Sequence, residues 1–177
     1  FIPTGGTLCD IASIDLSGMD TRLGSVKITA MCDVKNPLYG GSGAAYVYAP
    51  QKGADAECVK RLDDGLRNFA KVCISSLGVD VSEIDGAGAA GGMGAGVIAL
   101  LGGRLTRGIF AVLDICRFDS LLCGCDLVIS GEGRFDLQSL CGKVIDGIGE
   151  RLANTDIPFV AICGSVDRSM TDIGRLN

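Results

Sequence analysis

The stretch DLVISGEGRFDLQSLCGK, residues 126–143, decides how the chain is read. Its opening apolar run, Leu127, Val128 and Ile129, is bounded by polar residues and predicts a buried strand. Ser130-Gly131-Glu132-Gly133-Arg134 then predicts a glycine turn carrying one acid and one base. Asp136, Gln138 and Ser139 follow, and Gly142-Lys143 leads into an apolar-periodic segment. A strand, a glycine turn and a helix in that order set polar groups at the carboxyl end of a sheet, where open α/β sheets bind ligands. The alternative is a plain βα connection, its glycines serving turn geometry and its charges solvated. The stretch alone leaves both readings open.

Working outward, Val144, Ile145, Ile148, Leu152 and Ala153 recur at helical spacing. Residues 158–163 (PFVAIC) predict a second buried strand ending at Gly164-Ser165. Strand, helix and strand over this distance form a βαβ unit with a parallel pair. Residues 167–177 begin another helix and stop short, and Phe1 is a poor place for a domain to start. A chain cut at both ends is the expectation.

The 177 residues suffice for one domain with a real core or for two small lobes. Net charge is −5 and the basic residues are scattered, without a basic run interleaved with aromatics, so no nucleic-acid partner is expected. No apolar stretch approaches the roughly 20 residues that span a bilayer, and no basic segment followed by an apolar one marks a secretory signal. The 9 cysteines are odd in number and scattered through apolar segments (Cys73, Cys116, Cys163), which points to a reduced, cytoplasmic protein. Cys116, Cys123 and Cys125 lack the paired spacing of structural zinc, and the chain has no histidine, so small apolar cysteines are expected there.

Residues 1–24 predict an extended, turn-rich lead-in without chemistry. Val26 to Val34 is β-branched and partly alternating, predicting a strand that ends at Asp33. Asn36-Pro37 then stops regular structure. Asp33 and Asn36 stand where a strand gives way to a loop, a good place for a carboxylate that reaches a ligand; the plainer reading is an Asx-turn. The segment AAYVYAPQKG, residues 44–53, is a short apolar piece broken by Pro50, with Gln51, Lys52 and Gly53 in a turn. Asp55 predicts an N-cap, Glu57 favours the helix dipole, and Val59, Leu62, Leu66, Phe69, Val72, Cys73 and Leu77 make a helix that Gly78 stops. Lys60, Arg61, Asp63 and Asp64 read as its solvated face.

The block GAGAAGGMGAG, residues 86–96, contains G-x-G-x-x-G. The dinucleotide fingerprint needs a convincing strand before it and an acid about 20 residues on; here the preceding segment is polar and Asp114 comes too late. A glycine turn opening a closely packed helix is the better expectation. Its backbone N–H groups suit a phosphate or carboxylate, while small residues that simply admit a close neighbour explain it equally well. Residues 102–124 predict one or two short helices, the second capped by Asp119.

Taken together, several phrases resemble the bacterial glycerate kinase family, which phosphorylates D-glycerate with ATP. They are Cys32-Asp33-Val34 with Asn36-Pro37-Leu38, then APQKGA at residues 49–54, the glycine block, residues 126–143, and the strand 158–166 ending in G-S-V. The resemblance runs in the family's order across nearly the whole chain; Cys141 departs from it, standing where the family often has histidine. It implies part of a two-lobe α/β fold about twice this length. Residues 1–122 would be most of one lobe and 123–177 a piece of the second, Rossmann-like lobe. It also implies ATP and Mg²⁺, a small-molecule substrate, and either a homo-oligomer or complementary segments of the same chain.

Phosphoryl transfer to a hydroxyl needs cations for the triphosphate, carboxylates for Mg²⁺ or the attacking oxygen, and backbone N–H groups around the phosphates. With the resemblance, Asp33 or Asp136 is expected to take or position the hydroxyl proton. Arg134 and Lys143 would meet phosphate or the glycerate carboxylate. Asn36, Lys52, Gly88, Gly91, Gly92, Glu132, Gln138, Ser139 and Gly142 would bind substrate or phosphate, with Asp33, Glu132 or Asp136 available to Mg²⁺. The lack of histidine excludes an imidazole base. The rival readings are an inactive fragment that folds or binds anions, and, more remotely, a dinucleotide-dependent oxidoreductase.

Overall fold

The structure is a computed structural model that describes residues 4–135 and 144–167, apart from the Phe135 side chain. It is mixed α/β and separates by contacts into two compact units, Phe1–Thr106 and Arg107–Asn177. Each holds a parallel two-stranded sheet.

In the first unit the sheet pairs β1 (Thr29–Met31) with β2 (Arg104–Thr106). The strand expected over 26–34 is thus confined to its centre, and β2 was not anticipated, because three residues are too few to show a period. The organising element is α2 (Ala56–Leu77). Asp55 caps it by accepting from the Cys58 N–H at 2.8 Å, and Gly78 ends it in the left-handed conformation with φ +70. Val59, Leu66, Ala70 and Cys73 bury one face against α1 (Ala44–Tyr48), α3 (Ala89–Leu101), Leu38 and Val81. Burial pushes the Cys73 thiol up, so this cysteine is an inert core residue.

Two expectations for this unit are corrected. The lead-in expected over 1–24 is extended and turn-containing only in its middle: Gly5–Asp10 and Thr21–Ser25 form 3₁₀ turns. The first lies on α2, where the Asn68 amide donates to the carbonyls of Leu8 at 3.0 Å and Ile11 at 2.9 Å. Asp63 does not belong to the solvated face. It is 3 % exposed, accepts from the Gly40 N–H at 2.6 Å and pairs with Arg67 at 2.9 Å. A buried carboxylate is tolerated because both partners satisfy it. Lys60 and Asp64, one turn along, do lie on the solvated face and pair there at 2.8 Å.

The second unit contains α4 (Gly108–Ile115), α5 (Phe118–Leu121), β3 (Val128–Phe135), α6 (Val144–Leu152) and β4 (Phe159–Val166). β3 and β4 pair in parallel, Val128 opposite Phe159 through Phe135 opposite Val166, which is the anticipated βαβ unit. The contact divide falls at Thr106/Arg107, ahead of the 122/123 division read from sequence. Its cause is that Ile109, Phe110, Leu113, Phe118 and Leu122 pack with Ile148 and Leu152. Gly147 lets the helices meet, since a Cβ there would lie 2.4 Å from Ile109 Cγ1. Two arginines flank the Phe110 ring: Arg107 bonds Asp146 and Glu150, each at 2.6 Å, and Arg151 bonds Asp114 and Asp119. Asp119 therefore does not cap α5, whose N-cap is Arg117 at φ +52.

The predicted glycine turn at residues 130–134 is strand instead. Gly131 and Gly133 are not among the positive-φ residues, and the ladder continues past them. The close approach falls on the partner strand, where a Cβ on Gly164 would lie 2.8 Å from Gly133 O, while a Cβ on Gly133 itself would meet open space. Nor is the strand buried on both faces: Ile129 is 60 % and Ile162 63 % exposed. Cys116, Cys123 and Cys125, read as small apolar cysteines, are free thiols on the exposed surface, whereas Cys73 is buried. No described helix is long and apolar enough to cross a membrane.

Two substitutions test this packing. Asp63→Ala should lower the unfolding free energy by about 2–3 kcal/mol in urea titration, while Asp64→Ala leaves the midpoint unchanged. Gly147→Ala should destabilise by about 1–2 kcal/mol despite alanine's better helix propensity; a gain in stability would show that Ile109 moves aside freely.

Candidate functional site

In the first unit the chain leaves β1 through Cys32, whose N–H continues the ladder to Thr106 O at 2.8 Å. Asp33 follows at the carboxyl end of β1, as expected, and Asn36 lies three residues on. Asn36 is fully engaged. Its amide donates to Ser42 O at 2.8 Å, its side-chain oxygen accepts the Tyr48 hydroxyl at 2.6 Å, and its backbone carbonyl accepts the Gly88 N–H at 3.0 Å. It joins three segments: the loop it sits in, α1 and the glycine block.

That junction explains Gly88. A Cβ there would lie 2.3 Å from Pro37 O, so only glycine permits the approach. Beyond it the backbone is left-handed at Ala90 (φ 50, ψ 40), Gly91 (φ 74, ψ 27) and Gly92 (φ 101, ψ 4). Regular helix resumes from Met93, with Gly94 pressed so close that its Cβ would meet Gly86 O at 2.2 Å. The block is a glycine turn opening a helix, and its small residues admit close neighbours, which is one of the two equally weighted readings; a phosphate or carboxylate at its N–H groups is the other. No strand precedes it. Gly91 has open space where its Cβ would point, so its glycine answers a backbone demand and leaves room beside the turn.

Beside that turn is a cavity of about 400 Å³. Its walls include Leu8, Ala45, Tyr48, Lys52, Leu62 and Gly91. Lys52 arrives on the 3₁₀ turn Pro50–Lys52, which Gly53 closes at φ +93. The structure thus gathers Lys52, Gly91 and, through the bond to Tyr48, Asn36 around one space. Gly92 packs against Leu66 and Leu38 behind it. Sequence reading missed Leu8, Tyr48 and Asp63. Leu8 and Tyr48 carry no motif; Asp63 gave a faint signal, an acid at a buried position of the helix period.

In the second unit Glu132 and Arg134 stand on the same strand face as Val128, the face that packs with α6 and its neighbours. Arg134 is paired with Asp167 at 3.4 Å. Glu132 Oε2 is buried with no hydrogen-bond partner, an arrangement that normally marks a missing cation or donor. It therefore suits a divalent ion, and Mg²⁺ commonly takes only one or two protein carboxylates beside phosphate oxygens. Among the described residues no three metal-ligating side chains cluster. Asp136, Gln138, Ser139, Gly142 and Lys143 lie outside the described residues.

Comparison with known proteins places the chain in a family. The sequence model of the glycerate kinase family matches residues 1–176. A glycerate kinase of Bacillus cereus is 54 % identical over 164 residues, covering 93 % of this chain and 43 % of the relative. A glycerate 2-kinase of Escherichia coli is 43 % identical over 162 residues, 92 % of this chain and 42 % of its own. A crystal structure described as glycerate kinase 2 from Salmonella typhimurium LT2 superposes with a TM-score of 0.81 at 43 % identity, covering 98 % of this chain and 45 % of that one. The chain thus spans less than half the length of the relatives it matches. With a matching family model along both units, the chain belongs to the glycerate kinase family.

Proposed function

We propose that the chain carries out, as part of a glycerate kinase, the transfer of the ATP γ-phosphoryl group to a hydroxyl of D-glycerate. The observation that carries this reading is the left-handed turn at Ala90–Gly92, locked to Asn36 through Gly88 and set beside Lys52. Backbone N–H groups and a lysine around one space suit a triphosphate, for which catalysis is mostly positioning and charge stabilisation.

In this reading the glycerate oxygen forms a bond to the γ-phosphorus as the bond to the β–γ bridging oxygen breaks, and ADP leaves. Asp33 or Asp136 receives the hydroxyl proton. Arg134 and Lys143 hold phosphate or the glycerate carboxylate, Gln138 and Ser139 fix orientation, and Gly142 belongs to the substrate- or phosphate-binding set. Glu132, whose Oε2 is otherwise orphaned, is the favoured Mg²⁺ ligand of the three candidate carboxylates. Glu132 would hold Mg²⁺, which would supply positive charge to offset that of phosphate. The name of the Escherichia coli relative makes the 2-hydroxyl the acceptor of choice. Free thiols, among them Cys9, Cys32 and Cys73, support a reduced, cytoplasmic setting.

A second reading, a fragment that needs a second copy or complementary segments of the same chain, is favoured by the bare sheet face of Ile129, Val160 and Ile162. Parallel sheets are ordinarily covered on both faces.

Incubation with ATP, Mg²⁺ and D-glycerate, followed by phosphorus NMR, should show 2-phosphoglycerate, and Asp33→Asn should slow its formation by about 10²–10⁴-fold. Full turnover by that variant removes Asp33 from the mechanism, and no product from the parent chain favours the fragment reading. Glu132→Gln should raise the Mg²⁺ concentration for half-maximal rate about tenfold or more; an unchanged Mg²⁺ titration excludes Glu132 as a ligand.

A further inference from the structure

The cavity beside the glycine turn is large and apolar for a kinase whose acceptor is a small anion. Its walls are mostly alanine and leucine side chains, with Tyr48 as the aromatic member and Lys52 as the charged one. A three-carbon hydroxy acid would leave most of about 400 Å³ unfilled and would bring a carboxylate against hydrocarbon, which is costly without paired partners. A flat, weakly polar group with a charged tail matches the walls better, since ligand sites of about 300–1,000 Å³ are mainly apolar with a few placed polar groups. Tyr48 is preorganised for such a group. Its hydroxyl is tied to Asn36 at 2.6 Å, so its ring is held while the phenol oxygen is already satisfied. Ala90 and Gly91 of the left-handed turn line the same space as Lys52.

Resting on the kinase reading above, we propose that this cavity in the first unit receives the nucleoside of the phosphoryl donor, its base against Tyr48, and that the phosphates run toward Lys52 and the turn at Ala90–Gly92. The acceptor, by contrast, is held elsewhere. The assignment makes Tyr48 and the cavity-wall alanines determinants of donor binding, and Asn36 a positioning residue that acts through Tyr48 and Gly88.

Titration of the 177-residue chain with mant-ATP, a fluorescent ATP analogue, tests this. Adenosine should displace the analogue. Ala49→Phe, which puts a ring into the cavity, should raise the mant-ATP Kd about tenfold or more while circular dichroism and the melting midpoint confirm folding. Lys52→Met, on an exposed turn and independent of core packing, should raise the mant-ATP Kd about tenfold yet leave adenosine affinity unchanged. The assignment is overturned if the parent chain binds no mant-ATP, if adenosine fails to compete, if folded Ala49→Phe binds like the parent, or if Lys52→Met weakens adenosine equally. Formation of phosphoglycerate is a separate readout, so a nucleotide bound at another place and a chain that is no kinase give different results.

Discussion

No side chain fits between Gly88 and the carbonyl of Pro37, and the candidate site depends on that contact. A Cβ at 88 would sit 2.3 Å from Pro37 O, so the glycine block can close on the 36–37 segment only as bare backbone. Once closed, the Gly88 N–H reaches Asn36 O, and the Asn36 side chain ties α1 through Tyr48 and the following loop through Ser42. The next turn of chain is left-handed over three residues, a conformation that costs an L-residue such as Ala90 energy that the surroundings must supply. Strain of this kind persists where neighbours over-determine the backbone, which is what the Asn36 junction and the tight seat of Gly94 provide.

Behind the site, the loop that carries Asn36 has its own anchor. Asp63 reaches from α2 to the Gly40 N–H, and Arg67, lying over the Tyr39 ring at 4.4 Å, completes the pair. A buried acid on the longest helix thus fixes the start of the glycine-rich loop 40–43. The second unit uses charge differently. Arg107 and Arg151 bracket Phe110 and take four acidic partners between them, holding α6 to α4 and α5 beneath the β3–β4 pair. That places Glu132 on a covered face and leaves Ile129 and Ile162 on a bare one.

Much of this was legible in the sequence, and the reasons are specific. Helix α2 announces itself by a cap, a long apolar period and a left-handed stop, all local signals. The parallel βαβ unit followed from two apolar runs around an amphipathic segment. Residues 130–134 misled because glycine is read as a turn signal, whereas here Gly131 and Gly133 keep to the strand without a positive φ. Asp63 misled because charge suggested solvent, and its partners lie 23 and 4 residues away. Tyr48 and Leu8 gave no signal at all: their roles arise from a cavity whose walls come from five separated segments. Motifs picked out the candidate site residues; packing supplies those that hold them.

The central claim is that the backbone turn locked to Asn36 is where phosphate is held. Amide NMR of the isotopically labelled chain during titration with ATP addresses it directly. The account predicts that the Ala90 and Gly91 N–H resonances shift progressively and saturably, with Lys52 in the same set. Saturable shifts that leave residues 90 and 91 unmoved would contradict it.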